Sequence, residues 1–345
     1  MAKKLIITNI PAFYKVNLFN EINKQIDIEV IFTGTKDKTV FKGKEIVRKR
    51  DFLDEKIFFK AHYLSGSFLT KLWQLLTILR NVEYTEIIID GWDSILIWVI
   101  LCFDFTKRKS LIVESTNKES TTKGIKGFLK KVFLKRICKV YASGISQEKL
   151  VRQLGFKGEC VITKGVGIYN RKYDKAPLKQ RDKVTNFLYV GRLSEEKNLM
   201  FMIEGFKNNP HLTLRIVGYG DLEEKIRCTK PDNVFLLGAI NNKEITDEYN
   251  ANDVLLLLSY SETWGIVVEE ALNNGVPVIL SKNVGCVEEL QIDNNYGLLI
   301  DDTNIESYEK ALDKMQNIEI YKRFCKNIQK IDFKKIEENQ VLKYL

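Results

Sequence analysis

Ser259-Tyr-Ser-Glu262-Thr-Trp-Gly265-Ile-Val-Val-Glu-Glu270-Ala-Leu-Asn-Asn-Gly275-Val-Pro-Val-Ile-Leu280-Ser281 is the stretch from which the fold can be read. The apolar run that leads into it, Val254 to Leu258, has the length and composition of a strand buried on both faces. Gly265 then opens a helix whose apolar positions Ile266, Val267, Ala271 and Leu272 recur at helical spacing. Asn273-Asn274-Gly275 stops that helix before a second strand, Pro277 to Leu280.

This strand-turn-helix-strand unit carries a glutamate on each side of its turn. Glu262 falls in the loop at the carboxyl end of the strand and Glu270 on an early turn of the helix, so both can face one crevice beside a positive helix end. Exposed N–H groups at such an end suit a diphosphate, and a nearby carboxylate accepts hydrogen bonds from vicinal hydroxyls. Diphosphate plus sugar hydroxyls describes a nucleotide-sugar. The same pattern is also that of an ordinary α/β crossover with two solvated carboxylates.

Working back along the chain, Asn186 to Val190 reads as a strand that runs into Gly191-Arg192-Leu193-Ser194-Glu195-Glu196-Lys197-Asn198 and a helix from Leu199 to Lys207. Gly191 permits close backbone approach, and Arg192 and Lys197 bring two cations to the crevice mouth. Leu212 to Val217 and Gly218-Tyr-Gly220 form another strand and turn. That Gly-x-Gly lacks the third glycine of a dinucleotide fingerprint. Val234 to Leu237 follows, then Gly238-Ala239-Ile240.

These residues resemble glycosyltransferase family 4, retaining enzymes of the GT-B fold, here of the bacterial surface-polysaccharide type. Glu262-Thr-Trp-Gly265, Glu270-Ala271 and Gly275-Val-Pro-Val278 stand where that family has its Glu-x7-Glu signature, and Gly191-Arg-Leu193 with Lys197 where it binds the donor diphosphate. The resemblance runs from about residue 186 to 302. It implies a donor site of Gly191, Arg192, Lys197, Ala239, Ile240, Glu262, Thr263, Trp264, Gly265, Ile266, Val267 and Glu270, with the backbone of Ala239 and Ile240 under the base. Glu262, Arg192 and Lys197 are the implied catalytic residues. It also implies a retaining transfer that needs neither metal nor cofactor, with a nucleotide-diphosphate sugar, UDP-sugar favoured, as donor substrate. The chain departs from the family in lacking a double-glycine loop after its first strand, where Asn9 to Tyr14 stand, and a histidine at the cleft of its acceptor half, since His62 is placed in a loop before a helix.

The first half has no comparable motif and is read from its alternation alone. Leu5 to Thr8, Ile28 to Phe32, Glu86 to Asp90 and Leu111 to Val113 read as strands, with helices at Asn17 to Gln25, Phe68 to Leu79 and beyond Ser94, a pattern that predicts a doubly wound parallel sheet. Carboxyl ends of such strands line the ligand crevice, so Asp90, Trp92, Asp93 and Glu114 are candidates for acceptor binding; Asp93 or Ser94 is equally a helix N-cap. The expected fold is α/β, GT-B, with two Rossmann-like domains facing across a cleft. Residues 1–168 are the acceptor domain, 169–183 a polar linker, 184–331 the nucleotide-sugar domain, and a terminal helix, 332–345, returns to the first domain.

Charge separates the halves. Residues 1 to 170 hold 30 Lys and Arg against 17 Asp and Glu, whereas 171 to 345 hold 24 against 28. A basic half suits an anionic lipid surface or nucleic acid, and no nucleic-acid partner is expected here. Lys36 to Arg50 is a basic segment that reads as a solvated loop or as a contact for an anionic acceptor or lipid. Lys123 to Lys139 is a basic amphipathic helix whose apolar residues Ile125, Phe128, Leu129, Val132, Phe133 and Ile137 would pack on the sheet while its lysines meet anionic membrane. Six scattered cysteines and two histidines form no legible metal site or disulfide framework. The longest apolar run, Ile95 to Phe103, falls short of the roughly 20 residues that span a bilayer. The sequence is therefore read as a cytoplasmic enzyme, peripheral at the inner face of the plasma membrane, that passes a sugar to a glycan or lipid-linked acceptor. The rival readings are a non-catalytic partner subunit of the same fold and an NAD(P)-dependent oxidoreductase.

Overall fold

The computed structural model describes residues 3–34, 38–41, 44–47, 56–92, 94–103, 108–242, 244–301 and 304–345. The chain forms two compact units, Met1–Ile168 with Glu337–Leu345, and Tyr169–Ile336.

In the first unit the elements run β1 (Lys4–Thr8), α1 (Phe13–Asn23), β2 (Ile28–Phe32), β3 (Lys38–Phe41), β4 (Lys44–Val47), β5 (Lys60–Tyr63), α2 (Phe68–Asn81), β6 (Glu86–Asp90), α3 (Ile95–Phe103), β7 (Lys109–Val113), α4 (Gly124–Leu134), β8 (Lys139–Ala142), α5 (Ile145–Gln153) and β9 (Glu159–Ile162). Seven strands pair in parallel in the order β5-β2-β1-β6-β7-β8-β9. Their side chains alternate between two cores. Leu5, Ile7, Ile87, Ile89, Leu111 and Val113 face the side covered by α2 to α5, where Leu75, Ile97, Phe133 and Leu150 lie buried. Ile6, Val30, Ile88 and Ile112 face Val16, Phe19 and Ile22 of α1, together with Val341 and Tyr344 from the end of the chain.

Three expectations for this unit are corrected. His62 stands on edge strand β5, where its Nε2 lies 2.6 Å from the Glu29 carboxylate, and not in a loop; the segment was missed because a polar edge strand has no apolar run. The basic segment Lys36 to Arg50 contains the antiparallel pair β3-β4, and its residues 36, 37, 42, 43 and 48–50 lie outside the described residues. On α4, Gly127, Phe133 and Leu134 are buried, whereas Ile125, Phe128, Leu129 and Val132 are exposed. The helix is rolled so that Gly127 comes against the Thr122 carbonyl and Lys130 over the Trp92 ring, which turns much of the apolar stripe outward.

The second unit continues β10 (Asn186–Val190), α6 (Leu199–Asn208), β11 (Thr213–Val217), α7 (Glu223–Thr229), β12 (Val234–Gly238), α8 (Ile245–Ala251), β13 (Val254–Leu257), α9 (Ile266–Asn273), β14 (Val278–Ser281), β15 (Gly297–Ile300), α10 (Ile305–Gln316), α11 (Ile318–Ile328) and the start of α12 (Phe333–Leu342). Its six strands pair in parallel in the order β12-β11-β10-β13-β14-β15. Segment 169–183 has no regular structure and is tied to this unit. Lys179 Nζ donates to the carbonyls of Tyr249 and Asn250 at 2.8 and 2.7 Å, and Arg181 pairs with the buried Asp253.

Both sheets reverse their strand order once near the middle, at β1/β6 in the first unit and at β10/β13 in the second. Open parallel sheets bind ligands at the carboxyl ends of strands at such switch points.

Candidate active site

At the second unit's switch point two loops meet. The one after β10 runs from Gly191 through a 3-10 turn, Glu195–Lys197, into α6, and Asn198 at the junction takes a left-handed conformation, φ 57°. The one after β13 carries Glu262. Lys197 Nζ forms an ion pair with the Glu262 carboxylate, and the Tyr260 amide donates to the Glu196 carbonyl at 2.9 Å. Both the Lys197 and the Glu262 side chain keep about a sixth of their surface open to solvent, at 17% and 16%. Arg192 is exposed at the same loop, held by its carbonyl, which accepts from the Tyr189 hydroxyl at 2.7 Å.

Gly265 joins the Glu262 loop to α9 with φ 93°, and a Cβ there would come within 2.9 Å of Val284, so only glycine makes this entry without strain. The loop is braced from behind: the Gly285 amide donates to the Glu262 carbonyl and the Cys286 amide to that of Trp264. Trp264 is 1% exposed, and its indole N–H donates to Glu269 at 2.8 Å. Its ring is therefore a packing element of the loop and is not presented to a ligand. Thr263, Ile266 and Val267 are half-buried around the same helix end.

Glu270 sits four residues further along α9 than Ile266, buried, with one carboxylate oxygen accepting from the Tyr249 hydroxyl at 2.8 Å. Burial pushes its pKa up to about 7, and the hydrogen bond from Tyr249 opposes that rise. Ala239 and Ile240 follow β12, which lies beyond β11 and β10 from β13, roughly 14 Å along the same edge at ordinary strand spacing.

The glycines of Gly218-Tyr-Gly220 serve this loop cluster. A Cβ on Gly218 would lie 1.8 Å from the Gly191 carbonyl oxygen, and the Leu193 amide donates to the Tyr219 carbonyl. They allow the β11 turn to lie against the Gly191–Leu193 backbone, a packing role that accounts for the incomplete dinucleotide pattern.

The first unit's switch point holds a second cluster. Thr8 at the end of β1 donates to Asp90 Oδ2 at 2.6 Å, and Lys15 of α1 lies 3.3 Å from Asp90 Oδ1 while also pairing with Glu114 after β7. Burial alone would lower the pKa of Lys15, which is 4% exposed, but the carboxylates of Asp90 and Glu114 outweigh it and hold the pKa well above its ordinary value. Burial and the neighbouring Asp90 push Glu114 up in spite of Lys15. Glu114 is the most solvent-accessible member, its side chain 26% exposed. Trp92 is buried against Phe133 and Lys130, so its ring is not presented, and Asp93 lies outside the described residues.

Sequence reasoning missed Thr8, Lys15 and Tyr249. Lys15 had a signal, since it falls on the stripe of α1 that buries Phe19 and Ile22. Among the described residues no group of three or more His, Cys, Asp or Glu is placed to hold a metal, and no helix is long and apolar enough to cross a membrane.

Comparison with known proteins adds four findings. Residues 170–331 match the family described as "Glycosyl transferases group 1". An "Uncharacterized 41.2 kDa protein in cps region" of Klebsiella pneumoniae is 32% identical over 165 residues, covering 45% of this chain and 44% of that protein. The "O-antigen biosynthesis glycosyltransferase WbnH" of Escherichia coli is 27% identical over 176 residues, covering 50% and 49%. The chain thus spans about half the length of the curated relatives it matches. A solved structure of Anabaena HepE, in complex with UDP and glucose, is similar over 98% of both chains with a TM-score of 0.75 at 15% identity. The chain has the GT-B fold, and its second unit carries the likeness to glycosyl transferases group 1.

Proposed function

We propose that this chain is a glycosyltransferase of surface-polysaccharide synthesis, moving a sugar from a nucleotide-diphosphate donor to a glycan or lipid-linked acceptor with retention of configuration and without metal. The observation that carries this reading is the meeting of Lys197 and Glu262 from separate loops at the second unit's switch point, with Glu270 on the helix that follows. Arg192 and Lys197 neutralise the diphosphate, Glu262 and the N–H groups at the start of α9 hold the donor sugar, Glu270 accepts from the ribose hydroxyls, and Ala239 and Ile240 border the base. UDP is the favoured nucleotide by analogy with HepE, and the polysaccharide setting by analogy with the cps-region and O-antigen relatives. In the first unit, Glu114 and Asp90, set by Lys15, offer acceptor oxygens to a sugar hydroxyl.

In the reaction the bond from the sugar C1 to the diphosphate oxygen breaks and the bond to the acceptor oxygen forms on the same face. The acceptor proton passes to a phosphate oxygen of the leaving group, whose developing charge the two cations stabilise. The test is a melting panel of UDP, GDP, dTDP, CDP, NAD and NADP on the wild type and Glu270→Ala. One nucleoside diphosphate at about 100 times its Kd should add roughly 2.7 kcal/mol to the wild type and nothing comparable to the variant. Stabilisation by NAD or NADP alone, or by nothing, overturns the donor assignment, and the anomeric configuration of the product tests retention.

A lipid-linked acceptor fits the first unit's surface. Ile125 and Phe128 of α4 are 80% and 65% exposed among Lys123, Lys126 and Lys131, and Leu69 and Trp73 of α2 and Ile95 of α3 are exposed on helices that cover the same face of the sheet. Lysines around outward apolar side chains match anionic headgroups over acyl chains, which supports reading the protein as a peripheral enzyme of an anionic cytoplasmic membrane face. The full chain should sediment with anionic vesicles and not with zwitterionic ones, and Ile125→Glu with Phe128→Glu should abolish this. Equal sedimentation of wild type and variant would reject the contact.

A further inference from the structure

Glu270 faces a conflict. A carboxyl group accepts both hydroxyls of a ribose diol when ionised, yet this one is buried, and among the described residues no cation pairs with it. Its side chain takes one hydrogen bond, from Tyr249, a residue 21 positions earlier on α8. Tyr249 is itself fully buried, its hydroxyl 2.8 Å from Glu270 Oε2 and 3.4 Å from the Val267 carbonyl on the same helix. The phenol has one proton to donate, and the carboxylate is the nearer and stronger acceptor.

We infer that Tyr249 is a positioning residue for the donor nucleotide: its hydroxyl fixes one oxygen of Glu270, leaving the other for the ribose, and holds the carboxyl in the ionised form that the diol requires. This rests on the ribose role proposed for Glu270. A purely structural hydrogen bond would satisfy the fold with the carboxyl neutral or replaced by an amide. The positioning role adds a dependence on ionisation that packing alone lacks.

The sign follows from the acid-base balance around Glu270. Burial raises its pKa to about 7 and Tyr249, the one other titratable group that bears on it, lowers it. Removing the hydroxyl therefore raises the Glu270 pKa further. Donor affinity should fall as pH drops through the Glu270 pKa, and in Tyr249→Phe it should begin to fall at higher pH.

The experiment is UDP binding by calorimetry at about pH 6, 7 and 9 to the full-length wild type, Tyr249→Phe and Glu270→Gln. Should another nucleoside diphosphate be the one that stabilises the wild type, it replaces UDP. Wild-type affinity should weaken about tenfold from pH 9 to a point one unit below a pKa near 7. Tyr249→Phe should bind several-fold more weakly than wild type at about pH 6 and 7 and approach it at about pH 9. Glu270→Gln should bind weakly and keep only the shallow dependence that the UDP terminal phosphate, titrating at about pH 6, gives by itself. A Tyr249→Phe profile equal to the wild type, or weakened evenly at every pH, overturns the inference. So does a wild-type pH dependence no steeper than that of Glu270→Gln. Carboxyl-carbon NMR of glutamate-labelled, ligand-free protein reads the Glu270 pKa directly: an unchanged value in Tyr249→Phe rejects the inference. Failure of the wild type to bind any nucleotide rejects instead the ribose role of Glu270.

Discussion

At Glu270 the requirements of folding and of binding point in opposite directions. In the unfolded chain its carboxyl has the ordinary value of 4.5, and in the folded chain burial holds it at about 7. The folded state therefore binds more protons between these values, and stability falls as pH rises from 4.5 through 7. Below 4.5 both states are protonated and the cost disappears. Glu270→Gln should accordingly raise the unfolding free energy at about pH 8 by up to about 3 kcal/mol and change little at about pH 4, as urea titrations at the two pH values would read. A variant that is stabilised while losing nucleotide is the behaviour of a residue kept for binding. Glu262 and Glu270 were legible in the sequence because one strand, one turn and one helix, all local, fix their spacing. Lys15 and Tyr249 were not, because each acquires its role from a carboxylate 75 or more positions away in the first case and 21 in the second, and local periodicity reports only that each is buried.

Among the elements, edge strand β5 shows how a polar stretch without an apolar pattern is held in a sheet. Glu29 on β2 is opposite Lys60 in the parallel register, and its carboxylate contacts Lys60, His62 and Lys3. Burial alone would push its pKa up, and the hydrogen bonds from Lys3, His62 and Lys60 together reverse that, bringing it down to about 2. The stability this represents is present above the unfolded value of 4.5 and is lost as pH falls from there toward 2. Glu29→Gln should cost up to about 3 kcal/mol at neutral pH and flatten the acid limb of a pH–stability profile; an unaltered acid limb would show that the ion pairs contribute nothing net. The central strands were legible because they are continuous apolar runs buried on both faces. Strand β5, and the β3-β4 pair, escaped because cross-strand pairing rather than composition makes them strands.

For the molecule as a whole, the chain builds its first unit, then its second, and returns to complete the first with Glu337–Leu345. The return is well anchored. Tyr344 is 2% exposed, its ring stacked on Tyr141 at 4.6 Å, and its carbonyl accepts from Lys4 Nζ at 2.6 Å. Truncating such a ring leaves a cavity beneath the central strands of the first sheet, and losses of about 3–5 kcal/mol are usual for a buried aromatic. Because a chain of two units need not unfold in one step, the loss from Tyr344→Ala should fall on the first unit alone. The tryptophans permit this to be read: Trp73, Trp92 and Trp98 belong to the first unit and Trp264 to the second. In denaturant, fluorescence of Tyr344→Ala carrying Trp264→Phe should show an earlier midpoint than the Trp264→Phe parent, whereas a protein retaining only Trp264 should unfold at the same point with or without Tyr344. A common shift in both signals would mean that the two units unfold as one cooperative block, with the returning segment stabilising both.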